Sequence, residues 1–273
     1  MFQKLSILSL LLVCFFSAFS QVDFTEAKYS GLLDGNFEEI ITLRDGSVYV
    51  LSDYKKSFYI HKVDAQTLKA RTSWEIDKKE IGLKKADVEL AMASDEGLHV
   101  LLKNPAKGKG ISFVECHLGW DGEIKEKKEV AFLEKVPEEL RISYYKSEDR
   151  SKIAVVWMPR EGAYPRVFVF DNRMDLQWEG ALRNPFKETF EVGQMEVSNN
   201  GDLWFVGYLN SKRKKWYEVK PSASYAVARV KGEEMLVYQL ENKQKIFYNL
   251  NIKPDLKPGL VVLTGFYGED EEA

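Results

Sequence analysis

Three histidines are present, His61, His99 and His117, and the last two flank a lysine- and glycine-rich stretch, 103–110, that reads as a hairpin turn. If facing residues sum to 214, His99 opposes Glu115 and His117 is its diagonal neighbour on one face. Diagonal neighbours lie about 7–8 Å apart, so a His-Glu-His metal set is within geometric reach. A slip of one residue turns one strand over and takes the set apart. The plainer expectation is that both are structural imidazoles, and that no metal or other cofactor is bound. His61 lies in an apolar strand and also reads as structural.

The second stretch with chemical potential is Lys212-Arg213-Lys214-Lys215-Trp216-Tyr217. Cations interleaved with aromatic rings suit an acidic or sugar-like partner, through charge and ring stacking. The alternative is a solvated hairpin with its rings packed on a sheet edge. Cys116 falls on an expected strand and reads as a small buried hydrophobe. The 42 acidic residues show no pair marked out by spacing. Glu38-Glu39, Asp87/Glu89 and Glu138-Glu139 read as solvated edges or connectors. There is no Gly-x-Ser-x-Gly elbow, His-Glu-x-x-His, P-loop, Cys-x-x-Cys or calcium-loop spacing.

The elements that would position these residues repeat along the chain. Asn200-Gly201-Asp202 is followed by the apolar run Leu203 to Gly207. The same phrase begins its apolar run at Val48, Leu98, Ile153 and Leu260, with steps of 50, 55, 50 and 57 residues. A period near 50 residues marks propellers, solenoids or arrays. Asp-Gly and Asn-Gly supply left-handed turn angles. The copy at Asp149-Arg150 lacks glycine, so its turn is expected to differ. Each apolar run suits a strand buried on both faces, and the alternating segments around it suit half-buried strands.

About four strands per unit make the blades of a propeller. The pattern resembles the degenerate β-propeller repeats of secreted and cell-envelope bacterial proteins, although no Trp-Asp dipeptide of the WD40 kind recurs and no sialidase box is present. The expected fold is all-β: about five four-stranded blades, near 37–76, 88–132, 140–182, 190–243 and 246–273. The last is incomplete, so the ring is expected to be unfinished. Residues 78–86 read as a charged, solvated connector. Trp157 and Trp204 read as core, and Trp74, Trp120 and Trp178 as packing between blades.

Residues 1–20 read as a signal peptide: Lys4, then apolar Ile7 to Phe16, then Ala18-Phe19-Ser20 before the cut. Residues 21–273 would be the exported propeller. Cys14 leaves with the leader, so no internal disulfide is expected. Net charge is −3, about −4 without Lys4, which argues against a nucleic-acid partner. No transmembrane span is expected after cleavage. The functional expectation is an exported scaffold or binding module, secreted or held in the cell envelope, that meets a protein or glycan through loops at one end of its blades. The alternative is a hydrolase or lyase acting on glycan or peptide at the channel mouth.

Overall fold

A computed structural model describes residues 36–106, 110–134, 141–158, 165–183, 190–209, 224–241, 246–257 and 260–268. The expected leader and the Lys212–Tyr217 stretch lie outside these residues. The chain is all-β, a propeller-like array of four-stranded antiparallel sheets in which each strand pairs with its neighbours in sequence. It divides into two compact units, Met1–Lys84 and Lys85–Ala273.

The first unit holds β1 (Asn36–Arg44), β2 (Ser47–Tyr54), β3 (Ser57–Asp64) and β4 (Ala70–Asp77). Asp45 and Gly46 both take positive φ, 49° and 65°, the two-residue turn whose twist matches the flanking strands. Tyr49, Leu51, Phe58 and Ile60 are fully buried. His61 is buried on the opposite face of the same sheet, with Ser52 Oγ 2.9 Å from Nε2 and Ser73 Oγ 2.8 Å from Nδ1. The connector after β4 departs from expectation. Lys78 and Leu83 are buried, and Lys78 Nζ lies 2.7 Å from Asp53 Oδ1. A buried ammonium needs such a partner, and Asp53 draws this turn inward.

The second unit contains three four-stranded sheets and one two-stranded sheet among the described residues. The first sheet is β5 (Asp87–Ala93), β6 (Gly97–Pro105), β7 (Ile111–Gly119) and β8 (Ile124–Leu133). The next is β9 (Arg141–Lys146), β10 (Lys152–Met158), β11 (Arg166–Asp171) and β12 (Leu176–Ala181). The third is β13 (Phe190–Val197), β14 (Leu203–Leu209), β15 (Ser224–Lys231) and β16 (Glu234–Glu241). The last pair is β17 (Ile246–Lys257) and β18 (Leu260–Gly268).

These sheets pack face to face in chain order. Strand β10 shows why its sequence is apolar throughout. Ile153 and Val155 join Leu101, Phe113 and Leu133 of the preceding sheet. Ala154 and Val156 join Leu203, Phe205 and Met195 of the following one. Alternation along a strand sends neighbours to opposite faces, and here both faces are covered. Each of the larger side chains, Ile153, Val155 and Val156 among them, contributes roughly 1.5–3 kcal/mol by leaving water. Trp178 and Trp204 pack between sheets as partly buried rings, and Trp157 does so against the core between the first two. Trp120 instead donates Nε1 to Asp95 O within its own sheet, and Trp74 stacks on Tyr49 at 6.4 Å.

The turn without glycine matches its neighbour. Arg150 takes φ 57° where Gly201 takes 79°, and their amides donate to Ser147 O and Ser198 O respectively. In both turns, and in the one at Ser94, the serine hydroxyl accepts a further backbone N–H. That serine fixes the turn, so glycine is not required.

Candidate functional site

Strands β6 and β7 pair antiparallel. Facing residues sum to 216, not 214: Gly97 opposes Gly119, His99 opposes His117 and Leu101 opposes Glu115. An offset of two keeps every side chain on its expected face, so His99, Glu115 and His117 do meet, with His117 and Glu115 exchanging places as the direct and diagonal partners of His99. Their rings stack at 4.4 Å with an interplanar angle of 9°.

The cluster lies on the face of this sheet that packs on the next one. His99 Nδ1 is 2.5 Å from Glu115 Oε1, and His99 Nε2 is 2.8 Å from Ser94 Oγ. Lys128 Nζ lies 3.1 Å from Glu115 Oε2 and 2.7 Å from Asp175 Oδ1 in the following sheet. Both His99 nitrogens are therefore engaged, which leaves that ring no lone pair for a metal. Among the described residues no group of three or more His, Cys, Asp or Glu is arranged to hold an ion. The arrangement is a chain of contacts from Ser94 to Asp175 that ties one sheet to its neighbour.

Two details fix its shape. A Cβ on Gly97 would lie 2.1 Å from Leu118 O and 3.0 Å from His117 Nε2, so only glycine admits this approach. His117 Nε2 is itself buried without a hydrogen-bond partner. Cys116 is fully buried, and burial, with the nearby Glu115 charge, pushes its thiol up to about 11. A thiol so held is a poor nucleophile at neutral pH.

A second group of polar side chains comes from the first strands of the sheets, β5, β9, β13 and β17. Tyr144 donates its hydroxyl to Glu89 Oε2 at 2.6 Å, and Lys103 Nζ lies 2.6 Å from Glu89 Oε1. Burial, reinforced by Glu89, pushes the Tyr144 hydroxyl up. Lys146 Nζ donates to Ala91 O at 2.9 Å, and burial, with the Arg150 charge, pulls its ammonium down to about 8. Farther along, Lys253 pairs with Glu148, and Gln194 donates to Glu196 at 3.1 Å while accepting from Ile252 N at 2.8 Å. Burial raises the Glu196 carboxyl, against the pull of Lys253. A carboxyl held toward its neutral form beside a lysine has acid–base capacity.

Sequence reading missed this group. Glu89, expected to be a solvated edge residue, is largely enclosed, with 13% of its side chain exposed. The signal was present as period-two polar residues in each first strand: Glu89, then Tyr144 and Lys146, Gln194 and Glu196, Asn251 and Lys253.

The turns form a third feature. Because the strands of a sheet run antiparallel in order, its first and third turns share one end. In the second unit these turns, 94–96, 120–123, 147–151, 172–175, 198–202 and 232–233, carry two bases, Arg150 and Arg173. They carry nine acids: Asp95, Glu96, Asp121, Glu123, Glu148, Asp149, Asp175, Asp202 and Glu233. Several are fixed by their own backbone bonds. Asp171 Oδ1 accepts from Arg173 N and Asp175 N, Asp121 Oδ1 accepts from Glu123 N, and Asp149 Oδ1 accepts from Ser151 N. Others bridge sheets: Asp149 N donates to Asn199 Oδ1 at 3.2 Å, Trp178 Nε1 to Gly201 O at 2.8 Å and Asn172 Nδ2 to Ala93 O at 3.1 Å.

No family model matches the chain, and no curated protein matches it. Among solved structures it is similar to the Dos1 propeller, at 14% identity and TM-score 0.49, covering 84% of this chain and 54% of that one. It is also similar to a prolyl endopeptidase, at 12% identity and TM-score 0.43, covering 80% of this chain and 30% of that one. A third likeness is to a DUF4221-family protein from Bacteroides vulgatus, at 11% identity and TM-score 0.43, covering 87% and 79%. The chain thus spans about half of the first of these and less of the second. Likenesses this distant carry no statement of activity, and the architecture rests on the sheets described above. Among the described residues no helix is long and apolar enough to cross a membrane.

Proposed function

We propose that the chain is an exported, non-catalytic scaffold or binding module that engages a protein or glycan partner through the turns at the acidic end of its sheets. The observation that supports this is the nine-to-two excess of acidic side chains in those turns, together with the serine and aspartate bonds that hold the turns in place. Preorganised turns lose little entropy on binding. Acidic side chains gathered at one end favour cationic partners, which would compete there with ion pairs such as Lys125–Asp121, Arg173–Glu96 and Arg229–Asp202. Export is argued from residues 1–20, and N-terminal sequencing of the product recovered outside the cytoplasm tests it: a chain beginning at Gln21 supports export, and an intact Met1 refutes it.

The binding test replaces Glu96, Asp121, Glu123 and Glu233, all exposed, by lysine. Binding to a lysine-rich peptide and to an amino-sugar oligomer is measured at low and physiological salt. The expected result is affinity that weakens with salt and falls at least tenfold in the quadruple variant. Equal affinity of variant and wild type would refute the reading. A second reading, hydrolysis or elimination on glycan or peptide, has one observation in its favour, the raised Glu196 beside Lys253 and Glu148 on the first strands. Activity on glycan and peptide panels that Glu196→Gln abolishes would favour it over the first.

A further inference from the structure

We propose that the outer edge of β18, which pairs with no described strand, and the underside of β16 together accept an extended segment of another polypeptide, one with apolar side chains at alternate positions. This surface is distinct from the acidic turns and does not depend on the function proposed for them.

Among the described residues, every other sheet has four strands and this one has two. The two are held to the preceding sheet by an apolar contact: Val206, Tyr225 and Val227, with Trp204 and Leu240, pack on Leu250, Ile252, Val261 and Leu263. Register carries that same face outward along β16. Tyr225 opposes Leu240, Val227 opposes Tyr238 and Arg229 opposes Leu236. Leu240 is covered, whereas Tyr238 and Leu236 are 53% and 46% exposed. The apolar contact therefore continues past β18, over the place where a further strand of the same sheet would lie.

A strand added at β18 would satisfy backbone groups on that edge, which β17 does not reach. Alternate side chains of the added segment would point at Tyr238 and Leu236, and the others would point away. The exposed Glu234 at the near end of β16 favours a basic residue at that end of the segment. The opposite face of β18 serves as an internal control. By alternation, Phe266 lies on the side away from Val261 and Leu263, and it is 75% exposed.

The test pans a phage library of random 12-residue peptides on the purified chain. Enriched peptides are synthesised, and their Kd is measured by fluorescence anisotropy against wild type, Leu236→Glu/Tyr238→Glu and Phe266→Glu. Thermal unfolding of each variant confirms that it is folded. The expected result is enrichment of peptides with period-two apolar residues, at least tenfold weaker binding to the double variant, and unchanged binding to Phe266→Glu. Enrichment without that period, no enrichment, or equal binding to the double variant overturns the proposal. Loss of binding in Phe266→Glu would also overturn it, since it would mark the contact as general adhesion to exposed apolar surface.

Discussion

Replacing Glu115 by alanine should destabilise the second unit by about 3 kcal/mol. Glu115 and His99 are each 3% exposed at the side chain and bonded at 2.5 Å. Removing one partner of a fully buried ionisable pair costs about 3–5 kcal/mol. The lower end applies because Lys128 is not stranded. Its side chain is 32% exposed, and Asp175 remains 2.7 Å away. What is stranded is His99 Nδ1, and an unsatisfied buried polar atom costs about 1–3 kcal/mol. The vacated carboxyl and methylene volume, closed on one side by the stacked His117 ring, supplies the rest. For a unit of this size 1 kcal/mol moves the midpoint by about 2–4 °C, so a fall of about 6–12 °C is expected in scanning calorimetry. Lys128→Ala is the comparison, and should cost less, about 1–2 kcal/mol, because it takes the cation from Glu115 Oε2 while His99 keeps its acceptor. Glu115→Gln, which keeps an acceptor for His99, should fall between them. If Glu115→Ala costs no more than Lys128→Ala, the carboxylate is not holding the imidazole, and the network is incidental.

Four further outcomes follow from contacts described above. Gly97→Ala should lower the unfolding midpoint severely or prevent folding, since its Cβ would meet Leu118 O at 2.1 Å. Gly46→Asn should be nearly neutral, because nothing lies within 4 Å of Gly46 and asparagine tolerates its positive φ. Trp178→Phe, which loses the Nε1 bond to Gly201 O, should cost about 1 kcal/mol in denaturant titration. Lys146 has its folded value lowered from 10.5 to about 8, so between those two pH values the unfolded chain binds more protons than the folded one. Its contribution to stability is therefore fully present above about pH 10.5 and is lost as pH falls through about 8. Lys146→Met should then be more stable than wild type at pH 7, with the advantage shrinking by pH 10; an advantage independent of pH would refute the assignment.

The strands were legible because middle strands covered on both faces must be apolar throughout, as β10 is. Their turns announced themselves through Asp-Gly and Asn-Gly. The His99–Glu115–His117 face was legible for the same reason of alternation, although the pairing was displaced by two residues, a shift that period-two patterning does not register. Glu89 was not legible. Its hydroxyl partner Tyr144 is 55 residues away in sequence, and two other bridges between sheets, Lys128 to Asp175 and Ile252 to Gln194, span 47 and 58 residues. These are distances of about one repeat, so single-residue spacing along the chain could not reveal them, whereas comparing polar positions one repeat apart would have. The glycine-free turn was misjudged because glycine was credited with closing it. The serine hydroxyls of Ser94, Ser147 and Ser198, four to six residues ahead of the apolar run, share that work.

In each described sheet, strands pair only with their immediate neighbours in sequence, and no strand is shared between sheets. Backbone ladders therefore begin and end within about fifty residues of chain, and loop closure demands little entropy. Duplication or deletion of a segment one repeat long leaves every remaining ladder intact. Only the side chains at the new junction must adapt, and those faces are built from interchangeable aliphatic residues such as Val155, Val156, Val167 and Val169. An architecture of this kind can change its length by whole repeats at modest energetic cost, while the turns that meet solvent diverge independently, one sheet at a time.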